Sequence, residues 1–122
     1  MIGYVTLGTN DVERARAFYD ALLAEIGAKR LMEFPRGSAW GTAMDKPALG
    51  LLTPFDGKAA TRGNGTMAAP AVDSKQTVNR LHARAPALCG QDEGAPDPRT
   101  DGFYAACFRD LDGNKLNAFF MG

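Results

Sequence analysis

The chain has 122 residues, of which 45% are hydrophobic and 23% are charged. Lys and Arg together number 14, and so do Asp and Glu, so the formal net charge is zero. This composition excludes a disordered chain and fits one folded domain. A nucleic-acid-binding domain usually carries a basic excess, which is absent here. No window of about 18 apolar residues is present, so we expect no membrane span.

The two cysteines cannot form a disulfide framework. The first residues lack the basic and long apolar regions of a signal peptide. We therefore expect a cytoplasmic protein with reduced thiols.

The first half of the sequence predicts a strand, a helix and three short strands. The opening strand covers residues 1–8, and the helix covers residues 11–26. Asn10 is the predicted N-cap, with Glu13 three residues later, and Gly27 is the predicted C-terminal stop. The apolar face of this helix follows helical spacing through Val12, Ala15, Phe18, Tyr19, Leu22, Leu23 and Ile26. The three strands that follow are predicted at residues 29–34, 38–43 and 49–53.

The second half repeats this order. A strand is predicted at residues 66–72, followed by a helix that begins at the N-cap candidate Asp73 and ends at Gly90, with Pro86 expected to kink or shorten it. Residues 92–101 form a polar stretch with two prolines, and no strand is predicted there. Two further strands, at residues 103–108 and 115–121, enclose a tight turn in which Gly113 supplies a positive φ.

A shift of 63 residues superimposes the two halves by physical role. It places Asn10 on Asp73, Phe18 on Leu81 and Gly27 on Gly90. The simplest account is an α+β fold of two βαβββ modules, at about 1–54 and 65–122, joined by a linker at about 55–64. Side by side, the modules would form one U-shaped mixed sheet with the helices outside. The concave face is then the expected ligand site.

Few residues suggest chemistry on their own. His82 is the single histidine and cannot supply the two or three imidazoles of a catalytic zinc site. Cys89 and Cys107 are predicted to be buried small hydrophobic residues. The glycines at 63–65 precede a predicted strand rather than a helix, so they do not form a dinucleotide site. The turn at 110–114 lacks the spacing of a calcium loop.

Two segments carry a family resemblance. Residues 4–23, with the pattern YVTLxxNDxxxAxxFYxxLL, and residues 103–116, FYAACFRDLDGNKL, resemble the glyoxalase/bleomycin-resistance/extradiol-dioxygenase (vicinal oxygen chelate) superfamily. The resemblance covers essentially the whole chain, and its most specific part is the RDxDGNK segment. It implies paired βαβββ modules, a U-shaped sheet and usually a homodimer.

The resemblance also implies four positions that hold a metal ion in the metal-dependent members. In this sequence they fall on Tyr4, Leu51, Met67 and Asn117. Leu51 cannot bind a cation, Met67 is a soft thioether and Asn117 is neutral, so the set does not suit a hard divalent ion. We therefore predict no metal and no cofactor. The predicted groove instead holds a small organic molecule among six residues: Tyr4, Trp40, Leu51, Met67, Tyr104 and Asn117.

Three functions follow as hypotheses. The first is a metal-free small-molecule-binding protein of the drug-sequestering type, acting as a homodimer without nucleic-acid or membrane partners. The second is a lyase or isomerase of the glyoxalase type, in which Tyr4, Glu33, His82 or Asp101 would do general acid–base work. The third is a structural or regulatory module that docks a partner protein. The sequence leaves open whether the modules pair within one chain or between two chains.

Overall fold

The computed structural model describes all 122 residues. The first module contains β1, α1, a short 3-10 turn, β2, β3 and β4, at Tyr4–Gly8, Val12–Leu23, Ala24–Ile26, Lys29–Phe34, Gly37–Gly41 and Ala48–Leu52. The second contains α2, β5, β6 and β7, at Lys75–Ala87, Gln91–Thr100, Phe103–Arg109 and Lys115–Met121. Neither helix has the length and apolar character that a membrane crossing requires.

The strands form two sheets. The first sheet has the order β1-β4-β3-β2, with β1 parallel to β4 and the other pairs antiparallel. The second sheet has the order β5-β6-β7 and is antiparallel. No strand pair joins the two sheets, so the U-shaped sheet expected from both modules is not continuous within one chain. The α+β class and the βαβββ modules are confirmed.

The strand predicted at residues 66–72 is reduced to two isolated parallel bridges to β7, at Ala68 and Ala71. The segment still follows β7, because the Ala68 amide donates to Lys115 O at 3.1 Å and the Phe119 amide donates to Pro70 O at 3.2 Å. Pro70 has no N–H to give to a ladder, which accounts for the interruption.

Both helices begin one residue later than predicted. The N-cap of α1 is Asp11, whose side chain accepts from the Arg14 amide, and the N-cap of α2 is Ser74, which accepts from the Thr77 amide. The two caps remain 63 residues apart, so the repeat of physical roles holds. Gly27 adopts the left-handed conformation, as predicted. After α2, this conformation is adopted by Cys89 instead of Gly90.

The polar stretch at residues 92–101, for which the sequence predicted no strand, forms most of β5. The strand is almost wholly exposed and shows no apolar alternation, so its pattern is that of a loop. It lies at the edge of the second sheet, where prolines and register shifts are tolerated.

One core serves both modules. It unites α1 and α2 with the inward faces of the two sheets, and its largest fully buried side chains are Trp40, Tyr19 and Phe108. Each sheet packs a single face on this core. The opposite face of each sheet, here called the outer face, does not pack on this core.

Polar bonds between residues far apart in sequence tie the modules together at the turn between β6 and β7. The Tyr19 hydroxyl donates to Asp110 Oδ2 at 2.6 Å, and the Asn114 amide donates to Gly8 O at 2.9 Å. Asn10 does not cap α1. Its side chain accepts from the Ala60 amide at 2.7 Å and donates to Ala60 O at 3.1 Å, which anchors the connection between the modules.

Candidate functional site

A groove runs across the outer face of the first sheet. Its floor consists of small residues on the two central strands, where Ala39 of β3 pairs with Gly50 of β4 and Ala48 lies two residues before Gly50. Its walls come from the two edge strands, with Met32 and Phe34 on β2 and Tyr4 and Thr6 on β1. Every second residue of a strand points to the same face of the sheet. On the outer face these residues are small on the central strands and larger on the edge strands, which leaves a trough between the edges.

The groove has a volume of about 570 Å³, within the range of small-molecule sites. Its lining over the strands is apolar apart from the hydroxyl-bearing residues Tyr4, Thr6 and Ser38, and the Ser38 hydroxyl accepts from Arg16. Charged groups stand only at the rim, where Arg36 and Lys46 project from turns. Arg36 is held there by two bonds from its guanidinium to Thr53 O, at 3.2 and 2.7 Å. The arrangement suits an apolar molecule with one or two polar groups.

Of the six residues predicted to share one groove, only Tyr4 lines it. Its side chain is 70% exposed and forms part of the β1 wall. Trp40 and Leu51 are each 1% exposed and belong to the core, so their predicted placement in the groove is wrong. Trp40 donates its indole N–H to Asp20 Oδ1 at 2.9 Å. Both residues fall on the inward phase of their strands, which the sequence alternation alone does not distinguish from the outward phase.

The other three predicted residues lie on the second module. Tyr104 faces α2, where its hydroxyl donates to Asn79 Oδ1 at 2.7 Å. Asn117 lies on the outer face of the second sheet and donates its amide to Cys107 Sγ at 3.1 Å. Met67 is 47% exposed and stands beside the same face. Within one chain, the structure therefore divides the predicted set between three environments, and the ligand-binding role of Tyr4, Met67 and Asn117 stays a prediction.

Most residues that line the groove were not among the predicted site residues. Met32, Phe34, Ala39 and Gly50 were assigned to strands but not to a site. The signal that identifies them is the recurrence of small residues at every second position in two neighbouring strands, at 37, 39 and 41 and at 48 and 50.

Solved structures share this fold over the whole chain. A glyoxalase/bleomycin resistance protein from Albidiferax ferrireducens T118 is 32% identical, with a TM-score of 0.89, and the match covers 100% of this chain and 99% of the other. The chain belongs to the glyoxalase/bleomycin resistance protein family. The sequence resemblance is thereby confirmed.

More distant glyoxalase/bleomycin resistance structures support the fold alone. A family enzyme from Burkholderia phytofirmans PsJN is 21% identical, with a TM-score of 0.78 and 98% of both chains covered. A lactoylglutathione lyase from Agrobacterium tumefaciens is 21% identical, with a TM-score of 0.72, covering 98% of this chain and 92% of the other. No protein-family model and no curated protein matches the sequence.

The residues at the four family metal positions do not fit a divalent ion. Leu51 is buried in the core and has no donor atom, and Asn117 offers only a neutral amide oxygen, its nitrogen donating to Cys107 Sγ. Tyr4 lies on the first sheet, whereas Met67 and Asn117 lie beside and on the second. No cluster of three or more His, Cys, Asp or Glu side chains stands near enough to serve instead.

The candidates for general acid–base work are also apart. Glu33 pairs with Arg30 at 2.8 Å, His82 pairs with Asp92 at 2.7 Å beside α2, and Asp101 occupies the exposed turn between β5 and β6. Only Tyr4 faces the groove. The groove therefore contains no acid–base pair from this set.

The outer face of the second sheet has a different character. Arg109 and Lys115 pair across β6 and β7, and Cys107 pairs with Asn117 in the next row. Arg109 donates to Glu93 Oε1 at 3.0 Å. This bond, with the nearby charges of Lys115 and Arg62, lowers the pKa of the Glu93 carboxyl below its ordinary value. At the other end of the face, the rings of Phe103 and Phe119 stack at 5.3 Å.

Proposed function

We propose that the protein binds a small, largely apolar organic molecule, without a metal ion, in the groove of the first sheet. The observation that carries this proposal is the floor of Ala39, Ala48 and Gly50 between taller side chains. The volume and the mostly apolar lining of this trough are those of a small-molecule binding site. The metal-free part rests on the residue types at the family metal positions.

We further propose that the protein acts as a cytoplasmic homodimer. Six large apolar side chains are exposed on or beside the groove: Met1, Ile2, Tyr4, Met32, Phe34 and Met44. A contiguous apolar surface of this kind marks a binding surface in soluble proteins. A second copy laid across the rim would shield it and close the groove. Both cysteines are free, which suits a reducing compartment.

The groove is tested by titrating a neutral hydrophobic dye such as Nile red, with and without a chelator. Thr6→Phe places a ring in the groove, while the matched control Val5→Phe places one on the other face of the same strand. We expect saturable binding that survives the chelator, is weakened at least about tenfold by Thr6→Phe and is unchanged by Val5→Phe.

Two results would contradict the groove proposal. One is the absence of saturable dye binding, and the other is an equal loss in the two variants. The dimer is tested separately by sedimentation equilibrium. Tyr4→Glu should shift a dimer towards the monomer, because it places a charge on the apolar surface, and a wild-type monomer at micromolar concentration would refute the dimer.

The lyase or isomerase of the glyoxalase type remains the second hypothesis, but no contact in the structure favours it. The candidate acid and base groups are distributed over separate surfaces. The likeness to the lactoylglutathione lyase from Agrobacterium tumefaciens supports the fold and not the reaction. Chelator-sensitive turnover of a hemithioacetal by the purified protein would establish it.

A further inference from the structure

A second cavity lies at the cationic end of the second sheet. It has a volume of about 540 Å³ and forms where the connection between the modules passes beside the start of β7. Its lining contains three cations, no carboxylate and a glycine-rich loop: Arg62, Gly63, Asn64, Gly65, Thr66, Met67, Arg109 and Lys115. It shares no residue with the groove of the first sheet.

The charges of this cavity are not balanced by the chain. Arg109 is paired with Glu93, and its other terminal nitrogen donates to Gly113 O at 3.0 Å. Arg62 and Lys115 make no ion pair with any acidic side chain. The side chains that line the cavity, together with Glu93, carry a surplus of two positive charges, and the carboxylates of the adjoining turn bond elsewhere, Asp110 to Tyr19 and Asp112 to Arg14. Placing the cations together costs free energy that a bound anion would recover.

The walls of the cavity are fixed by the fold. The connection is anchored two residues before Arg62 by the paired bonds between Ala60 and Asn10. The side chain of Arg62 then lies over Gly113, where an added Cβ would stand 3.3 Å from Arg62 Cδ. Downstream, the Ala68 amide bonds to Lys115 O at 3.1 Å and holds the loop against β7. The cations are therefore carried by anchored segments rather than by a free loop.

The loop adds unpaired backbone donors. The amides of Gly63, Asn64 and Gly65 make no hydrogen bond within the chain, whereas the Thr66 amide donates to Gly63 O at 3.3 Å. Gly65 adopts φ +95°, a conformation that favours glycine. Backbone amides beside guanidinium and ammonium groups are a common recognition surface for oxyanions.

We propose that this cavity binds a small organic dianion, a phosphate monoester or a dicarboxylate. Two charges match the local excess, and a phosphate ester carries close to two at neutral pH. The volume exceeds what an inorganic ion fills, which favours an organic molecule that bears the anionic group. The inference does not depend on the apolar groove.

The test is calorimetric titration with phenyl phosphate, phthalate and neutral phenol at low salt. Arg62→Gln and Lys115→Gln each remove one unpaired cation, and Lys58→Gln is the matched control from the same connection outside the cavity. We expect at least one dianion to bind and phenol not to bind. Each cavity variant should weaken binding at least about tenfold, the control should stay within about twofold, and added salt should weaken binding. The stronger of the two dianions identifies the anionic group.

Amide chemical shifts of the wild-type protein localise the site without any variant. Phenyl phosphate or phthalate should shift Gly65, Thr66 and Lys115 and leave the groove amides of β1 and β4 unchanged. The proposal is overturned if neither dianion binds at millimolar concentration, if the shifts lie elsewhere, or if Lys58→Gln loses as much affinity as the cavity variants. Thr6→Phe should leave dianion binding intact, so failure of this site and failure of the groove are separable.

Discussion

The outer faces of the two sheets differ in chemistry although their modules share one plan. On the first sheet, the outer face is mostly apolar and glycine and alanine form the floor; its one charged strand residue is Lys29, which pairs with Gly41 at the start of β2. On the second sheet, Arg109 and Lys115 stand side by side, with aromatic rings at the far end. The inward faces are alike, since both pack apolar residues on one core. The shared fold thus constrains one face of each sheet and leaves the other free to diverge.

The largest expected effect is a difference in stability between substitutions on the inward and outward faces of one strand, β4. Leu51→Ala removes a core side chain that is 1% exposed, so it should lower the free energy of unfolding by about 2–5 kcal/mol. Leu52→Ala removes the same atoms from the half-buried groove wall and should cost less than half as much. Urea unfolding of both variants measures the difference. Equal losses would show that the two faces are not distinct.

A smaller loss of stability is expected when the hydrogen bond between the two modules is removed. Tyr19→Phe removes the bond to Asp110 between the modules and should cost about 1–3 kcal/mol. Burial, followed by the Asp110 carboxylate, raises the pKa of the Tyr19 hydroxyl well above its ordinary value. The folded state therefore keeps this proton above pH ~10, where the unfolded state loses it, and stability falls as pH rises.

The Tyr19→Phe variant lacks this proton, so its stability should fall less steeply above pH ~10 than that of the wild type. Unfolding curves at a series of pH values between about 8 and 11, the range around the ordinary tyrosine pKa, give the comparison. Parallel curves for the two proteins would refute the assigned role of the buried hydroxyl.

Divalent metal ions are expected to have no effect on the stability of the protein. We expect no stoichiometric metal in elemental analysis of protein purified without chelator. We also expect no thermal shift with Ni²⁺, Zn²⁺, Mn²⁺ or Fe²⁺. A metal that binds only the folded state would add about 2.7 kcal/mol at a hundred times its dissociation constant. Such a shift would contradict the conclusion drawn from Leu51, Met67 and Asn117.

The sequence predicted what local signals encode. Helix spacing located α1, and the turn at Gly113 was recognised because φ +87° there favours glycine. It did not predict β5, whose exposed residues lack any alternation. It also could not assign faces in the first sheet. Trp40 and Leu51 lie on short strands that are apolar on both sides, so only tertiary packing decides which side is buried.

The irregular strand β5 has a consequence for how copies of the chain can meet. It is a free edge of the second sheet, and an open edge is a template for pairing with a strand of another molecule. Three register shifts, Pro96 and Pro98 interrupt its row of donors and acceptors, and acidic side chains flank the row. A second strand therefore finds no continuous ladder to extend. Aggregation by edge pairing is blocked on this side, which directs association to the sheet faces, where side chains can select the partner.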